Sequence, residues 1–503
     1  MQSLSSNRTV LVALSSGAVF RVAAPAPSNV APSLGPDELL HVLRHWSIPE
    51  CARVASTSSE VAMAVKARVA EATSLDVQHL ACDDERLKSL LAKMPVLESL
   101  SISDGTDLTA DGLVAAVLAA GQHHGWRRLA QLNLASSPID AAGFYALWAQ
   151  LPHLTGVSLD GCDAVQEVDM CVFAEAPAGS ISSLSLAHCP GLSSSGCLTV
   201  LCRYGGTHLT NLNASGYNIS EATLSSIGVE CPHLRNLKLS ECDFSGDEAI
   251  SLLFSRCTQL QRVDLSWCEG TLSTSSVTTL MSHCPELTHL ELRCCSNIEA
   301  ARVCALLGAC SLDHLRLLNL NRCNHDVLPA LIASESSPSS SAGGQSSLQR
   351  QLLAPLAACA SLTWLDLGWL ADMVDDASCA MILTSLPNLL VLSLEGCKAL
   401  TNAALSPLWA DGEEEPLMAT GMLRLNCAWA DLISTECLQS TLRAADARDR
   451  RRTGGTSKLQ VLDYYGNCWG CGPNGRPVRC KLEQEKGLEM PLIGWVASWD
   501  HDD

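Results

Sequence analysis

The chain has 503 residues, with 33 Lys and Arg against 53 Asp and Glu, a formal charge of −20, 47% hydrophobic and 4% aromatic residues, and 25 cysteines. The acidic balance excludes a general nucleic-acid binder, because neutralising phosphates requires clustered Lys and Arg. No stretch reaches the eighteen or more apolar residues of a membrane span, so no membrane partner is expected. Residues 1–33 contain no Asp or Glu, are rich in Ser and Ala, and carry Arg8 and Arg21. Their apolar run, Val10 to Leu14, is interrupted by Ser15-Ser16-Gly17, which argues against a secretory signal and leaves a disordered tail as the expectation.

Residues 34–70 read as three short helices. Pro36 suits a helix start and Asp37 and Glu38 complement its dipole. Leu39, Leu40, Val42, Leu43 and Trp46 form an apolar face. A second helix is expected after Ile48-Pro49 and a third from about Ser58 to Arg68. The segment resembles an F-box: Leu34 and Pro36 match its opening pair with Gly35 inserted, Asp37-Glu38-Leu39-Leu40 follow, and Arg53 and Ala55 fit its Arg-x-Ala portion. Ser47 and Val61 depart from the family, which has Asp and Trp there. The resemblance implies a Skp-type adaptor and a cullin as partners, with Leu34, Pro36, Leu39, Leu40, Val42, Leu43 and Trp46 as the adaptor-binding residues. A helical cap for the repeats that follow accounts for the same residues without an adaptor.

From Leu75 onward one pattern recurs, clearest in Cys257-Thr-Gln-Leu-Gln-Arg-Val-Asp-Leu-Ser-Trp-Cys268 and Cys284-Pro-Glu-Leu-Thr-His-Leu-Glu-Leu-Arg-Cys-Cys295. Alternation around the central apolar residues makes a short strand, and Val277, Leu280 and Met281 behind it have helical spacing. This is the pattern of a leucine-rich repeat. It predicts an α/β leucine-rich-repeat solenoid, a ribonuclease-inhibitor-like horseshoe over residues 71–440 with strands inside and helices outside. The expected strand centres are Leu75, Leu100, Leu132, Val157, Leu184, Leu212, Leu237, Val263, Leu290, Leu318, Leu365, Leu392, Leu423 and Leu462, mostly 25 to 28 residues apart. The step from Leu100 to Leu132 is longer by about one and a half helical turns, and a Ser-rich insertion loop, 333–350, lies before Leu365. Residues 441–503 are expected to form an irregular last repeat and cap, with Arg448-Asp-Arg-Arg-Arg452 a solvated loop.

The cysteines sit at two repeated places. Cys162, Cys189, Cys242, Cys268, Cys295, Cys323 and Cys397 follow the strand; Cys231, Cys257, Cys284 and Cys359 close the helix. Both places turn inward, where a thiol is a small apolar filler and a weak donor to a backbone carbonyl. Free buried thiols imply a reducing compartment, hence a cytoplasmic or nuclear location. Cys468-Trp-Gly-Cys471 with Cys480 lacks the second pair that a zinc site needs and is expected as capping-segment thiols.

No phosphate loop, His-Glu-x-x-His or Gly-x-Ser-x-Gly motif is present, so no catalysis, metal or cofactor is expected. The informative surface is the concave one, built from strand residues that alternate with the core leucines. The earlier repeats offer Ser99, Ser101, Ser183 and Ser185 there. The later ones offer Arg262, Trp267, His289, Glu291, Arg293, Asn319, Asn321, Arg322, Trp364, Asp366 and Trp369. Trp and Arg dominate binding hot spots and serine rarely does, so the later half is the expected face for an unknown target protein. With the F-box resemblance, this points to the substrate-recognition subunit of an SCF-type cullin–RING E3 ubiquitin ligase; the alternative is a leucine-rich-repeat interaction scaffold without a ligase role.

Overall fold

The computed structural model describes residues 9–13, 19–23, 59–77, 82–103, 108–126, 128–166, 181–192, 206–268, 270, 272–310, 312–324, 349–371, 373–409, 422–472, 474 and 476–480. They fall in two compact units, Met1–Val172 and Phe173–Asp503.

In the first unit, β1 (Thr9–Ala13) and β2 (Val19–Ala23) pair antiparallel, Thr9 opposite Ala23 and Ala13 opposite Val19. The expectation of a featureless tail is corrected for these residues. Their run of Val and Phe favours a paired strand over a solvated coil. Helix α1 (Ser59–Ala70) matches the third helix expected from the sequence; it buries Ala64, Val65 and Val69 and leaves Met63 exposed. Leu34, Pro36, Leu39, Leu40, Val42, Leu43 and Trp46 lie outside the described residues.

Four parallel strands follow: β3 (Ser74–Asp76), β4 (Ser99–Ser101), β5 (Gln131–Asn133) and β6 (Gly156–Ser158). Their register aligns Leu75, Leu100, Leu132 and Val157. Each is buried, and removing such a side chain from water contributes roughly 1.5–3 kcal/mol. The crossovers are α2 (Asp84–Leu91), α3 (Ala110–His124) and α4 (Ala141–Gln150). Each begins on a side-chain cap: Asp83 accepts from Arg86 N, Thr109 from Gly112 N and Asp140 from Gly143 N. The long step to Leu132 is absorbed by α3, which has 15 residues where α4 has 10 and stops at Gly125 with φ 74°.

The second unit continues the same plan. Its parallel strands are β7 (Ser183–Ser185), β8 (Asn211–Asn213), β10 (Asn236–Lys238), β12 (Arg262–Asp264), β13 (His289–Glu291), β14 (Leu317–Asn319), β15 (Trp364–Asp366), β16 (Val391–Ser393), β17 (Arg424–Asn426) and β18 (Gln460–Leu462). A side ladder joins β9 (Asn218–Ile219) to β11 (Asp243–Phe244). Helices α5 (Glu221–Glu230), α6 (Asp247–Arg256), α7 (Thr274–His283), α8 (Ala300–Ala309) and α9 (Asp376–Ser385) have 10 residues each. The expected face of α7, Val277, Leu280 and Met281, is buried. At Ala354–Ala358 and Asn402–Trp409 the crossover tightens to 3₁₀ turns, and each contains a proline that cannot donate an intrahelical bond.

Two expected strand centres are corrected. The register sets Leu392 beside Leu425, not Leu423, and Leu425 beside Val461, not Leu462. In the first case Cys427 replaces the leucine that closes the apolar triplet elsewhere, so Leu423-Arg-Leu425 mimics the pattern two residues early. In the second, Leu459 and Val461 are the buried pair and Leu462 faces the other side. The boundary placed at 440 falls inside α10 (Thr435–Thr453). The Arg448–Arg452 run is the end of that helix rather than a loop; its positive charges complement the helix C-terminus, and Arg450 Nε meets Asp446 at 2.6 Å. Gln349 and Arg350, assigned to the insertion, already belong to helical backbone.

Two repeated devices hold successive repeats together. An Asp in the first turn of one helix bonds the residue that starts the next crossover: Asp84 accepts from Thr109, Asp247 from Ser273 and Asp376 from Thr401, in each case through both the backbone N–H and the hydroxyl. The second is a thiol ladder. Cys162 Sγ donates to Leu134 O at 3.1 Å, Cys242 to Ala214 O at 3.2 Å, Cys268 to Leu239 O at 3.0 Å, Cys295 to Leu265 O at 3.0 Å and Cys323 to Leu292 O at 3.1 Å. The helix-closing Cys231, Cys257, Cys284 and Cys359 are equally buried. Burial pushes the Cys242 and Cys295 thiols up to about 12, which removes thiolate chemistry from the core.

The parallel ladder ends in a meander: β19 (Cys468–Cys471) pairs antiparallel with β18, and β20 (Pro477–Arg479) with β19. The Cys468–Cys471 segment is thus a strand, not a loop. Buried Asp463 pins the turn, accepting from Tyr465 N, Asn467 N and Trp469 Nε1. Pro477 starts the final strand and offers no N–H to further pairing.

Candidate functional site

Each strand has three residues, and the register stacks them in columns. Before the strand centre stand, in order, Arg262, His289, Leu317, Trp364, Val391 and Arg424. After it stand Asp264, Glu291, Asn319, Asp366, Ser393 and Asn426. Both columns face away from the buried centres, as strand alternation requires. The residues picked from the sequence therefore converge on neighbouring repeats.

Their exposure divides them. His289, Glu291, Asn319 and Asn321 are each 3% exposed and Trp364 is 9%. Arg262, Arg293, Asp366 and Trp369 are half-buried, while Arg322 and Trp267 are exposed. An evenly open docking face is thus not what these side chains form. Asn319 and Asp366 also bond within their own repeat, where Asn319 Oδ1 accepts from Asn321 N at 3.0 Å and Asp366 Oδ1 from Gly368 N at 2.9 Å. Asn133, Asp264 and Asn426 repeat that bond, so these residues end their strands by an Asx turn. Across repeats, Asn321 Nδ2 donates to Asp366 at 3.1 Å, and Lys238 Nζ lies 3.6 Å from Asp264. Desolvation raises the Asp366 carboxyl above its ordinary range, against the hydrogen bonds it accepts from Gly368, Asn321 and Ser393.

Sequence reasoning missed part of this face. Leu317, Trp364 and Val391 form one apolar cluster, with Leu390 packed beside it. Leu317 reads as core because it adjoins Leu318, and Val391 because it adjoins Leu392. Arg424 was lost with the misplaced register of β17. Counting outward from the corrected strand centres would have found all three.

Past the strand lies a further column. The fourth residue after the centre is left-handed in repeat after repeat: Ser136, His188, Glu241, Trp267, Cys294, Arg322, Trp369 and Trp429 have φ between 53° and 63°, and Gly161, Gly216 and Gly396 hold the same place. Most of these are not glycine, and the conformation costs an L-residue of order 1 kcal/mol or more. The compensation is a second ladder of bonds: Trp267 N donates to Arg293 O at 2.7 Å, Cys294 N to Asn321 O at 2.8 Å, Arg322 N to Gly368 O at 3.0 Å and Trp429 N to Tyr464 O at 3.1 Å. The column carries large side chains outward. The Arg293 guanidinium lies 5.9 Å from the Trp267 ring, and that of Arg322 4.8 Å from the Trp369 ring. Trp369 Nε1 donates to Glu395 at 3.2 Å. A Cβ at Gly396 would stand 2.6 Å from the Trp369 indole, so glycine there lets the ring lie flat.

Among the described residues no group of three His, Cys, Asp or Glu side chains could hold a metal. No helix of the described residues is long and apolar enough to cross a membrane. The face combines an apolar patch, buried polar residues beside it, and a rim of Trp and Arg.

The comparisons agree with this architecture. A chain of the yeast Rad7–Elc1 complex superposes with a TM-score of 0.51 at 16% identity, over 80% of this chain and 88% of that one. The chain has a leucine-rich-repeat fold. Its sequence matches F-box/LRR-repeat protein 4 of Bos taurus, 28% identical over 205 residues, which is 40% of this chain and 29% of the relative. This leucine-rich-repeat protein thus spans less than a third of that relative. An internalin of Listeria monocytogenes superposes with a TM-score of 0.42 at 15% identity, over 82% of this chain and 93% of that one. No family model matches.

Proposed function

We propose that this leucine-rich-repeat protein is the substrate-recognition subunit of an SCF-type cullin–RING E3 ubiquitin ligase. In this reading the F-box-like segment holds a Skp-type adaptor through Leu34, Pro36, Leu39, Leu40, Val42, Leu43 and Trp46. The outward columns of the later strands hold a target protein. The observation that carries it is the 205-residue match to a protein described as F-box/LRR-repeat, joined to the F-box-like order of Leu34–Ala55 ahead of the first repeat. The matching chain of the Rad7–Elc1 complex, found with a second protein, supports a repeat array that works by holding partners. The receptor would contribute no bond-breaking group; proximity of target to the transferring subunits is its role. Its expected location is the cytoplasm or nucleus, where buried free thiols persist.

The second reading, an interaction scaffold with the first helices as a cap, is favoured by the departures at Ser47 and Val61. Affinity purification of the full chain from a native lysate separates the two. Adaptor and cullin in the eluate, lost on Leu39→Asp with Leu43→Asp, support the receptor. Target proteins alone, unchanged by that pair, leave the scaffold.

A further inference from the structure

The left-handed column treats its three outward tryptophans unequally. Trp267, 45% exposed, has beside its ring Arg293, which comes from the next repeat, three residues past the strand centre. Trp369 is covered by Arg322, which comes from the left-handed position of the preceding repeat. Trp429 occupies the same place with φ 59° and is 51% exposed. The two positions that supply arginine elsewhere are here Tyr464 and Gly396, and neither is basic. Among the described residues the cation–ring pairs are Arg293–Trp267, Arg322–Trp369 and Arg479–Trp469.

The surroundings of Trp429 suit a cation. Tyr464 lies 5.5 Å away with its ring tilted by 60°, and Tyr465 stands edge-on to Tyr464 at 5.0 Å. Tyr465 is 82% exposed, and Leu432, three residues along the chain from Trp429, is an open apolar residue at 57%. Exposed Asp431 brings a carboxylate to the same corner, and desolvation together with its charge pushes the Tyr464 phenol up. The chain as a whole carries −20, which draws basic segments toward it.

We propose that Trp429, with Tyr464, Tyr465 and Asp431, is the docking site for an arginine of a partner protein, presented in an exposed basic segment whose apolar neighbour lies on Leu432. Tyr464 fills the place that Arg293 takes over Trp267, so the incoming guanidinium takes the one that Arg322 takes over Trp369, on the side of Gly396. A planar guanidinium stacks on the ring while its edge donates to the carboxylate, which an uncharged urea group of the same shape does only weakly. The site deepens the partner-docking reading of the repeats and is independent of the adaptor.

The test uses the full chain labelled with 5-fluorotryptophan and followed by fluorine NMR, with the Trp429 signal assigned by its loss in Trp429→Phe. The probe is the peptide acetyl-Gly-Arg-Leu-Gly-Arg-Leu-amide, against the same peptide with citrulline for arginine. The Trp429 signal should shift saturably with the arginine peptide, about threefold or more tighter than with citrulline, and Asp431→Asn should weaken it. The Trp369 signal should respond only when Arg322→Ala uncovers the ring. No shift of Trp429 at millimolar peptide, or equal shifts with both peptides, overturns the proposal. Loss of adaptor binding would leave this result untouched.

Discussion

The early strands β3 to β6 and the later strands β12 to β17 share one backbone and differ in what they turn outward. Both bury a leucine or valine at the strand centre and both link crossovers through an Asp, Asp84 in one region and Asp247 in the other. Outward, the early strands carry Ser74, Asp76, Ser99, Ser101, Gln131, Asn133 and Ser158, while the later ones carry Arg262, Trp364, Arg424 and the Trp rim. The inward residues state how the chain folds; the outward ones carry the proposed binding face. The two kinds of information are therefore separable by mutation.

The largest effect should be common to both regions. Leu100→Ala and Leu290→Ala should each destabilise by about 2–5 kcal/mol through the cavity left behind. Denaturant titration reads both, and a negligible cost at either would break the claim that both regions bury the same kind of core. The next effect should belong to the later strands alone. Trp364→Ala with Arg293→Ala should weaken a captured partner by about 2 kcal/mol or more, whereas Ser99→Ala with Ser101→Ala should leave its affinity unchanged. Titration calorimetry with the partner recovered from lysate decides this, and equal losses would erase the distinction.

A smaller effect sharpens the shared devices. Desolvation pushes the Asp247 carboxyl up, but the bonds from Ser275, Ser276 and Ser273 outweigh it and hold the group below its ordinary value. Its contribution is then present above the ordinary carboxylate range and fades as pH falls through the lowered value. Asp366, raised by desolvation, has the opposite sign: its ionised form costs stability, which protonation relieves on acidification. Asp247→Asn should cost about 1 kcal/mol near neutrality, after allowance for solvent screening, and less in acid. Asp366→Asn should gain relative to the parent as pH rises. Stability curves across pH 3 to 7 would contradict the assignment if both variants moved alike. The smallest effect is deletion of Ser336 to Ser346, which should shift stability by under about 0.5 kcal/mol, since closing a loop depends only weakly on its length.

Legibility in the sequence follows the same division. The core spacing is written in leucines, and so Leu75 through Leu392 could be placed by counting. It failed where chemistry substitutes for leucine: Cys427 closes the β17 triplet, and β18 buries Val461 rather than Leu462. The longer α3 was foreseeable because five extra residues are about one and a half turns of helix. The left-handed column was not, because Trp267, Arg322, Trp369 and Trp429 carry no glycine to announce a positive φ. The burial of His289 and Glu291 was also hidden, since strand alternation gives the direction of a side chain and not what its neighbours cover. The Arg448–Arg452 run looked like a loop because its charge hid the helix that Gly454 closes.

The reading of the molecule as a receptor rests most heavily on the F-box-like face. Titration calorimetry of the purified full chain with a Skp-type adaptor tests it directly. The account predicts micromolar or tighter binding that Leu39→Asp with Leu43→Asp abolishes while the thermal unfolding of the repeats is unchanged. Absence of binding at micromolar concentrations by the unaltered chain would contradict the ligase role and leave the scaffold.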